Sequence, residues 1–239
     1  MKGSKEAHII ITIDIDWAHD EVLEKCVSIL DKYGINATFF CTHKHNVHIR
    51  NNHEMAIHPN YNYNDSYEET IKKLMEIYPQ AKGVRSHCLY TNSRLYPIYE
   101  KYGLEYESNY LMYKQKGIKP FKMINNILQI PIFFTDDTYI AISKKASFEL
   151  EDINLKSEGL KVFDFHPIHI FLNTKDLRTY QKAKKYYHKP EKLKNFYNKD
   201  EGIYSLFMKL LNYIKTNSIR TYTMNEINNI WRSKGCDEI

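Results

Sequence analysis

The 239-residue chain is long enough to bury a sizeable core and is read as a single domain over 1–239. Its formal net charge of +5 is modest and not gathered in a block near either terminus, which argues against nucleic acid as a partner. Its four cysteines, Cys26, Cys41, Cys88 and Cys236, form no CxxC pair and no disulfide scaffold, so a reducing, cytoplasmic setting is expected. Met1 to Ala7 is polar and runs straight into the first strand, and no later run is long enough to span a bilayer; a soluble, unexported protein without a membrane span is expected.

The first strand, from His8 through Ile9-Ile10-Ile11-Thr12-Ile13, is an unbroken β-branched run, the pattern of a parallel strand covered on both faces. Asp14 and Asp16 follow at i and i+2, so strand alternation predicts that both point to the same side. Two carboxylates so placed need a cation or proton between them. Capping the next helix would explain one acid, not the pair. Asp20 to Tyr33 reads as an amphipathic helix closed by Gly34, and Ala37 to Thr42 as a second buried strand. His43 to His53 is polar and irregular. Glu54 to Ile57 is a third strand ending at His58-Pro59, and Ser66-Tyr67-Glu68-Glu69 is a capping box opening a helix to Pro79. Gly83 to His87 is predicted as a fourth strand, Ser93 to Tyr102 as a helix and Leu104 to Ser108 as a fifth strand. This alternation favours a parallel barrel or doubly wound sheet. Ile127 to Phe134 and Lys161 to Pro167 are further strand candidates. Asn173 to Lys199, dense in Lys and Tyr, reads as an insertion over the site near 173–200. Gly202 to Thr216 is an amphipathic helix, Ile219 to Tyr222 a short strand, and Thr223 to Glu226 a second capping box before a terminal helix.

Polar clusters recur at predicted strand ends: Asp14 with Asp16, His58 through Asn62, Arg85 with His87, and His166 with His169. In a barrel these ends meet at one face, where α/β active sites are built. Histidine, carboxylate and carboxamide suit a divalent metal with an open position, and water on such a metal beside an aspartate makes a hydrolytic centre. Most of the eleven histidines, including His43, His45, His48 and His188, are read as ordinary surface or hydrogen-bonded residues.

The order Thr12-Ile13-Asp14-Ile15-Asp16, Ala37-Thr38-Phe39-Phe40, His53-Glu54-Met55-Ala56-Ile57-His58, Arg85 and Phe163-Asp164-Phe165-His166 resembles the NodB-homology polysaccharide deacetylases (carbohydrate esterase 4-like). The IHPN and HPIHIFLN stretches are similar to the divergent WbmS-type members linked to surface polysaccharide synthesis. The resemblance implies a distorted, incomplete (β/α) barrel and a metal-dependent hydrolase removing an acetyl or similar acyl group from an N-acetylated sugar. Carried over, Asp14 is the base, Asp16 and His58 are metal ligands, Arg85 orients the base and His166 is the acid. Asn62 stands where the family has its second metal histidine. A carboxamide is a weaker ligand than imidazole for a borderline metal, so His87 is the substitute ligand to watch. Zinc is the favoured ion, with nickel, cobalt or manganese as alternatives; Pro59, His87 and His169 are expected to contact substrate. Tyr61, Tyr63, Tyr110, Tyr113, Tyr180, Tyr186 and Tyr187 suit stacking on a sugar. The competing readings are a non-catalytic carbohydrate-binding descendant and a different metal-dependent amidohydrolase.

Overall fold

The computed structural model describes residues 8–62, 65–142 and 146–234; Met1 to Ala7, Tyr63 and Cys236 lie outside them. In chain order the elements are β1 (Ile9–Asp14), α1 (Asp20–Tyr33), β2 (Ala37–Cys41), β3 (Glu54–Ile57), α2 (Tyr67–Ile77), β4 (Gly83–Val84), α3 (Tyr96–Lys101) and β5 (Tyr106–Glu107). They continue with β6 (Phe121–Lys122), β7 (Leu128–Gln129), β8 (Phe134–Thr135), α4 (Asp136–Ile142), β9 (Lys161–Phe165) and α5 (Pro167–Leu172). The last are α6 (Leu177–Lys184), α7 (Pro190–Leu193), α8 (Ile203–Thr216), β10 (Thr221–Tyr222) and α9 (Met224–Lys234). Among the described residues no helix is long and apolar enough to cross a membrane.

β1 is buried at all six positions because parallel neighbours flank it and helices cover the sheet. It pairs with β2, β9 and, through Ile9 and Ile10, with β10. The sheet order is β6-β7-β5-β4-β3-β2-β1-β9-β8, parallel except for β6 against β7. The sheet curls into an incomplete barrel. The stretch read as one strand over Ile127 to Phe134 is divided. Ile130 N–H donates to Glu107 O at 2.9 Å on the β5 side, whereas Phe133 N–H donates to Val162 O at 2.9 Å on the β9 side. Pro131, which has no N–H, stands between them, so the two ends of the sheet approach there without a continuous ladder.

Local signals fix the helix ends. Gly34 closes α1 at φ 68°, a left-handed conformation that costs glycine nothing. Ser66 and Glu69 form the capping box of α2, and Thr223 and Glu226 exchange the same pair of bonds at α9. Glu54 ties three elements together, accepting from Tyr106 Oη at 2.7 Å, Thr38 Oγ1 at 2.9 Å and the Asn225 N–H at 2.9 Å.

Gly83 is where β4 lies against the fully buried Tyr106 ring; a Cβ there would fall 1.8 Å from Tyr106 Cζ. The ring is held at its far end by Glu54, so it has nowhere to go. Gly83→Ala is therefore expected to destabilise by about 1–3 kcal/mol through overpacking, seen as a lower midpoint in urea unfolding. An unchanged midpoint would mean that the Tyr106 ring is free to move.

Candidate active site

β1 stops at Asp14, and the next residues make a tight turn rather than extended strand. Ile15 N–H still donates to Phe40 O at 3.1 Å, Ala18 N–H returns to Ile15 O at 2.8 Å, and Trp17 N–H is held by Thr42 Oγ1 at 3.0 Å. Asp16 and Trp17 adopt φ of 41° and 55°, sparsely populated for non-glycine residues and tolerated best by short polar side chains such as Asp. The strand alternation expected to bring Asp14 and Asp16 to one side thus gives way to a left-handed turn. Neither acid caps α1: His19 Nδ1 does so, accepting from Glu21 N–H.

The turn drops Asp16 among three imidazoles. Its Oδ1 lies 3.2 Å from both His58 Nε2 and His87 Nδ1, and its Oδ2 lies 3.6 Å from His166 Nε2. His58 ends β3 with its N–H on Cys41 O at 2.9 Å. His87 is carried by a short 3-10 turn, His87–Leu89, not by an extended fourth strand, since Cys88 and Leu89 have φ of 58° and 54°. Burial opposes the Asp16 charge, but hydrogen bonds from His58 and His87 and the neighbouring His166 charge outweigh it and hold the carboxyl well below its ordinary range.

Behind Asp14 lies a fully buried guanidinium. Arg85 Nη1 faces Asp14 Oδ1 at 2.8 Å, Asp164 Oδ1 at 2.7 Å and Thr12 Oγ1 at 2.8 Å. Its Nε and Nη2 donate to Ser108 O and Oγ, and its plane lies 4.2 Å from the centre of the Phe40 ring. Burial and the Asp14 charge push the Asp164 carboxyl well above the carboxylate range, against the pull of Arg85. Asp164 accordingly keeps its proton more readily.

Asp14, Asp16, His58, His87, Asp164 and His166 line a cleft of about 110 Å³ that also includes Asp137, Cys88 and Ile132. The fit to a divalent cation rests on its donors. Asp16, His58 and His87 offer three ligand atoms within 4.8 Å of one another, a two-histidine, one-carboxylate set that leaves positions open. His58 Nδ1 makes no hydrogen bond and lies 3.8 Å from Asp14 Oδ2.

A family model described as WbmS-like polysaccharide deacetylase matches residues 11–184. The chain belongs to this family. A solved structure from Bordetella bronchiseptica, assigned as a polysaccharide deacetylase involved in O-antigen biosynthesis (WbmS), is 27% identical, aligns over 86% of this chain and 90% of its own, and superposes with a TM-score of 0.77. A 4-alpha-glucanotransferase from Thermococcus litoralis shares only the fold, at 11% identity over 94% of this chain and 38% of its own, with a TM-score of 0.52. No curated protein matches the chain.

Within this WbmS-like chain, three residues singled out from sequence lie away from the cleft. Asn62 is exposed, with its N–H on Asn60 Oδ1 at 3.0 Å. It is not among the residues that line the cleft, where the 3-10 turn brings in His87. Pro59 is buried, and its carbonyl accepts the His87 N–H at 2.9 Å, so it positions His87. His169 is buried behind His166, with its Nδ1 3.1 Å from Thr174 Oγ1. Of the described tyrosines, Tyr187 Oη donates to Asp16 O at 2.7 Å and the Tyr180 ring meets His169 edge-on at 4.6 Å. Tyr61, Tyr110, Tyr113 and Tyr186 pack on Tyr67, Phe121, Phe134 and Phe196 instead.

Sequence reading passed over Asp136, Asp137 and Asp164 as site residues. The signal was present, since Asp136 and Asp137 stand at the carboxyl end of a strand, the criterion that selected Asp14. The Asp136 carboxylate accepts from both the His166 backbone N–H at 2.9 Å and its ring Nδ1 at 2.7 Å. Burial would strip the proton from His166, but Asp136, then Asp16 and Asp164, raise its pKa well above the ordinary histidine value. Asp136→Asn removes the largest of these charges and is expected to move the His166 titration midpoint to lower pH, as read from its imidazole NMR resonances in metal-free protein. An unmoved midpoint would show that Asp16 and Asp164 suffice.

Proposed function

We propose that this protein removes the acetyl group from an N-acetylated sugar during surface polysaccharide synthesis, using a divalent cation, zinc above nickel, cobalt or manganese, held by Asp16, His58 and His87. The observation that carries this reading is that the three-donor set shares one cleft with Asp14, 3.8 Å from His58, and with His166, 3.6 Å from Asp16. The assignment of the Bordetella relative to O-antigen biosynthesis supports the biological setting.

When bound, the cation supplies Lewis acidity and makes water a stronger acid. Asp14 takes the proton from the attacking water. Its Oδ1 is occupied by Arg85, so Oδ2 is the basic oxygen. The water oxygen bonds to the amide carbon, the C–N bond breaks, and His166 Nε2 gives its proton to the departing nitrogen, yielding acetate and a free amine. Asp136 fixes the tautomer of His166 by holding Nδ1, which leaves Nε2 to face the cleft. Asp136, Asp16 and Asp164 keep the proton on His166, which fits it to act as the acid.

The test is release of acetate from N-acetylated sugars by protein stripped with chelator and reloaded with zinc. Acetate is expected only after reloading. His87→Ala is expected to weaken zinc binding by about 10- to 100-fold or more in calorimetry, whereas Asn62→Ala leaves it unchanged. Zinc binding that survives His87→Ala but fails in Asn62→Ala would put the third ligand back at Asn62; absence of zinc binding in the wild type would remove the hydrolase reading.

A further inference from the structure

The charge of the chain is not evenly spread. Residues 173–199 hold nine lysines and arginines against two acids, a net +7, while the whole chain carries +5, so the remainder is −2. Lys194 pairs with Glu21 and Lys175 with Asp200. For Arg178, Lys182, Lys184, Lys185, Lys189 and Lys192, all exposed, no ion pair occurs among the described residues. Like charges packed this densely repel one another, a cost that a bound anion would remove.

This arm is fastened over the cleft. Tyr187 holds the Asp16 carbonyl, Tyr180 sits on His169, and Ala183 and Leu193 pack with Ala18, Val22 and Ile168. Lys184 lies one turn after Tyr180 on α6, hence on the same helix face. Tyr180 in turn meets His169, whose ring lies 5.7 Å from that of His166 in the cleft. The cleft is lined by the proposed metal donors Asp16, His58 and His87 together with Asp14 and His166, so the phosphate of a substrate is left to the rim. At about 110 Å³ the cleft has room for a small group such as an acetamide, not for a whole glycan.

We propose that Lys184 and the arm around it bind a phosphate or diphosphate carried by the substrate sugar, so that the acetamido group enters the cleft while the phosphate rests on the arm. The substrate class is then a sugar still attached to a phosphorylated carrier, either nucleotide or polyprenyl lipid, and the reaction that consumes the product is a glycosyl or phosphoglycosyl transfer using that carrier as leaving group. This inference rests on the deacetylase reading for its acetamido end only.

The test is calorimetric binding to the full chain at low salt, with UDP-N-acetylglucosamine, free N-acetylglucosamine and N-acetylmuramic acid as probes, and neutral phosphatidylcholine vesicles with and without polyprenyl-diphosphate N-acetylglucosamine. The diphosphate sugar is expected to bind at least about tenfold more tightly than the free sugar, about 1.4 kcal/mol, with the preference fading as salt rises. Lys184→Gln should abolish most of that preference, Lys184→Arg should retain it, and the triple variant Arg178→Gln, Lys182→Gln, Lys185→Gln should weaken it; these side chains are exposed, and melting curves check their folding. A preference for the vesicle-borne sugar names the lipid carrier, and one for the UDP sugar the nucleotide. Equal binding of free and diphosphate sugars, equal binding of the carboxylate-bearing muramic acid, or equal binding to the phosphatidylcholine vesicles without the sugar lipid would each overturn the proposal. Diphosphate binding without acetate release from any probe would count against the deacetylase reading alone, and ready acetate release without phosphate preference against the arm alone.

Discussion

Replacing Asp14 by Asn is expected to lower turnover by about 10²- to 10⁴-fold, the usual worth of a positioned general base, while zinc affinity and melting temperature barely move. The asparagine oxygen can still accept from Arg85 Nη1, now at 2.8 Å from Asp14 Oδ1, so shape and hydrogen bonding are kept. Charge balance is kept as well. Asp164 is held above the carboxylate range by burial and by the Asp14 charge; once that charge is gone, Asp164 ionises more easily and becomes the counter-ion of Arg85. None of the three proposed metal donors is altered. Acetate release, zinc calorimetry and a melting curve on Asp14→Asn check the three parts separately. Wild-type turnover on a verified substrate would remove Asp14 from the base role.

Arg85→Met is expected to cost about 3–5 kcal/mol of stability, because taking one partner from a buried ionic network strands the others. Arg85 is fully buried and serves Asp14, Asp164, Thr12 and Ser108 together. For a chain of this size each kcal/mol is worth about 2–4 °C in Tm. The loss should depend on pH in a definite direction. A buried acid without its cation has a folded pKa above its unfolded value of about 3.9, so its cost is absent below that value and grows as pH rises through it. The gap in Tm between wild type and Arg85→Met should therefore be wide near neutral pH and narrow towards pH 4. Adding Asp164→Asn should recover part of the loss by removing one stranded carboxyl. A pH-independent gap would point to lost packing on Phe40 as the cause.

The resemblance and the strand pattern led to the same barrel, and the sequence by itself determined most of its central elements. α1 spans Asp20–Tyr33 and β3 spans Glu54–Ile57 as read, because helix caps, glycine stops and β-branched runs act over a few neighbouring residues. The clustering of Asp14, Asp16, His58, Arg85, His87 and His166 at one end of the sheet was also legible, since parallel strands bring their carboxyl ends to one face. What tertiary structure decided was how each side chain is aimed. Asp16 reaches its histidines through a left-handed turn held by Thr42, and His87 through a 3-10 turn hung from Pro59, both set by contacts with segments distant in sequence. Asn62 fell outside the cluster for the same reason: spacing along the chain fixes a ligand only while the backbone stays regular, and the backbone beyond His58 leaves the sheet. The pairing of His166 with Asp136 and of Arg85 with Asp164 spans 30 and 79 residues. Such charges find one another only where burial removes the water that would otherwise satisfy each alone.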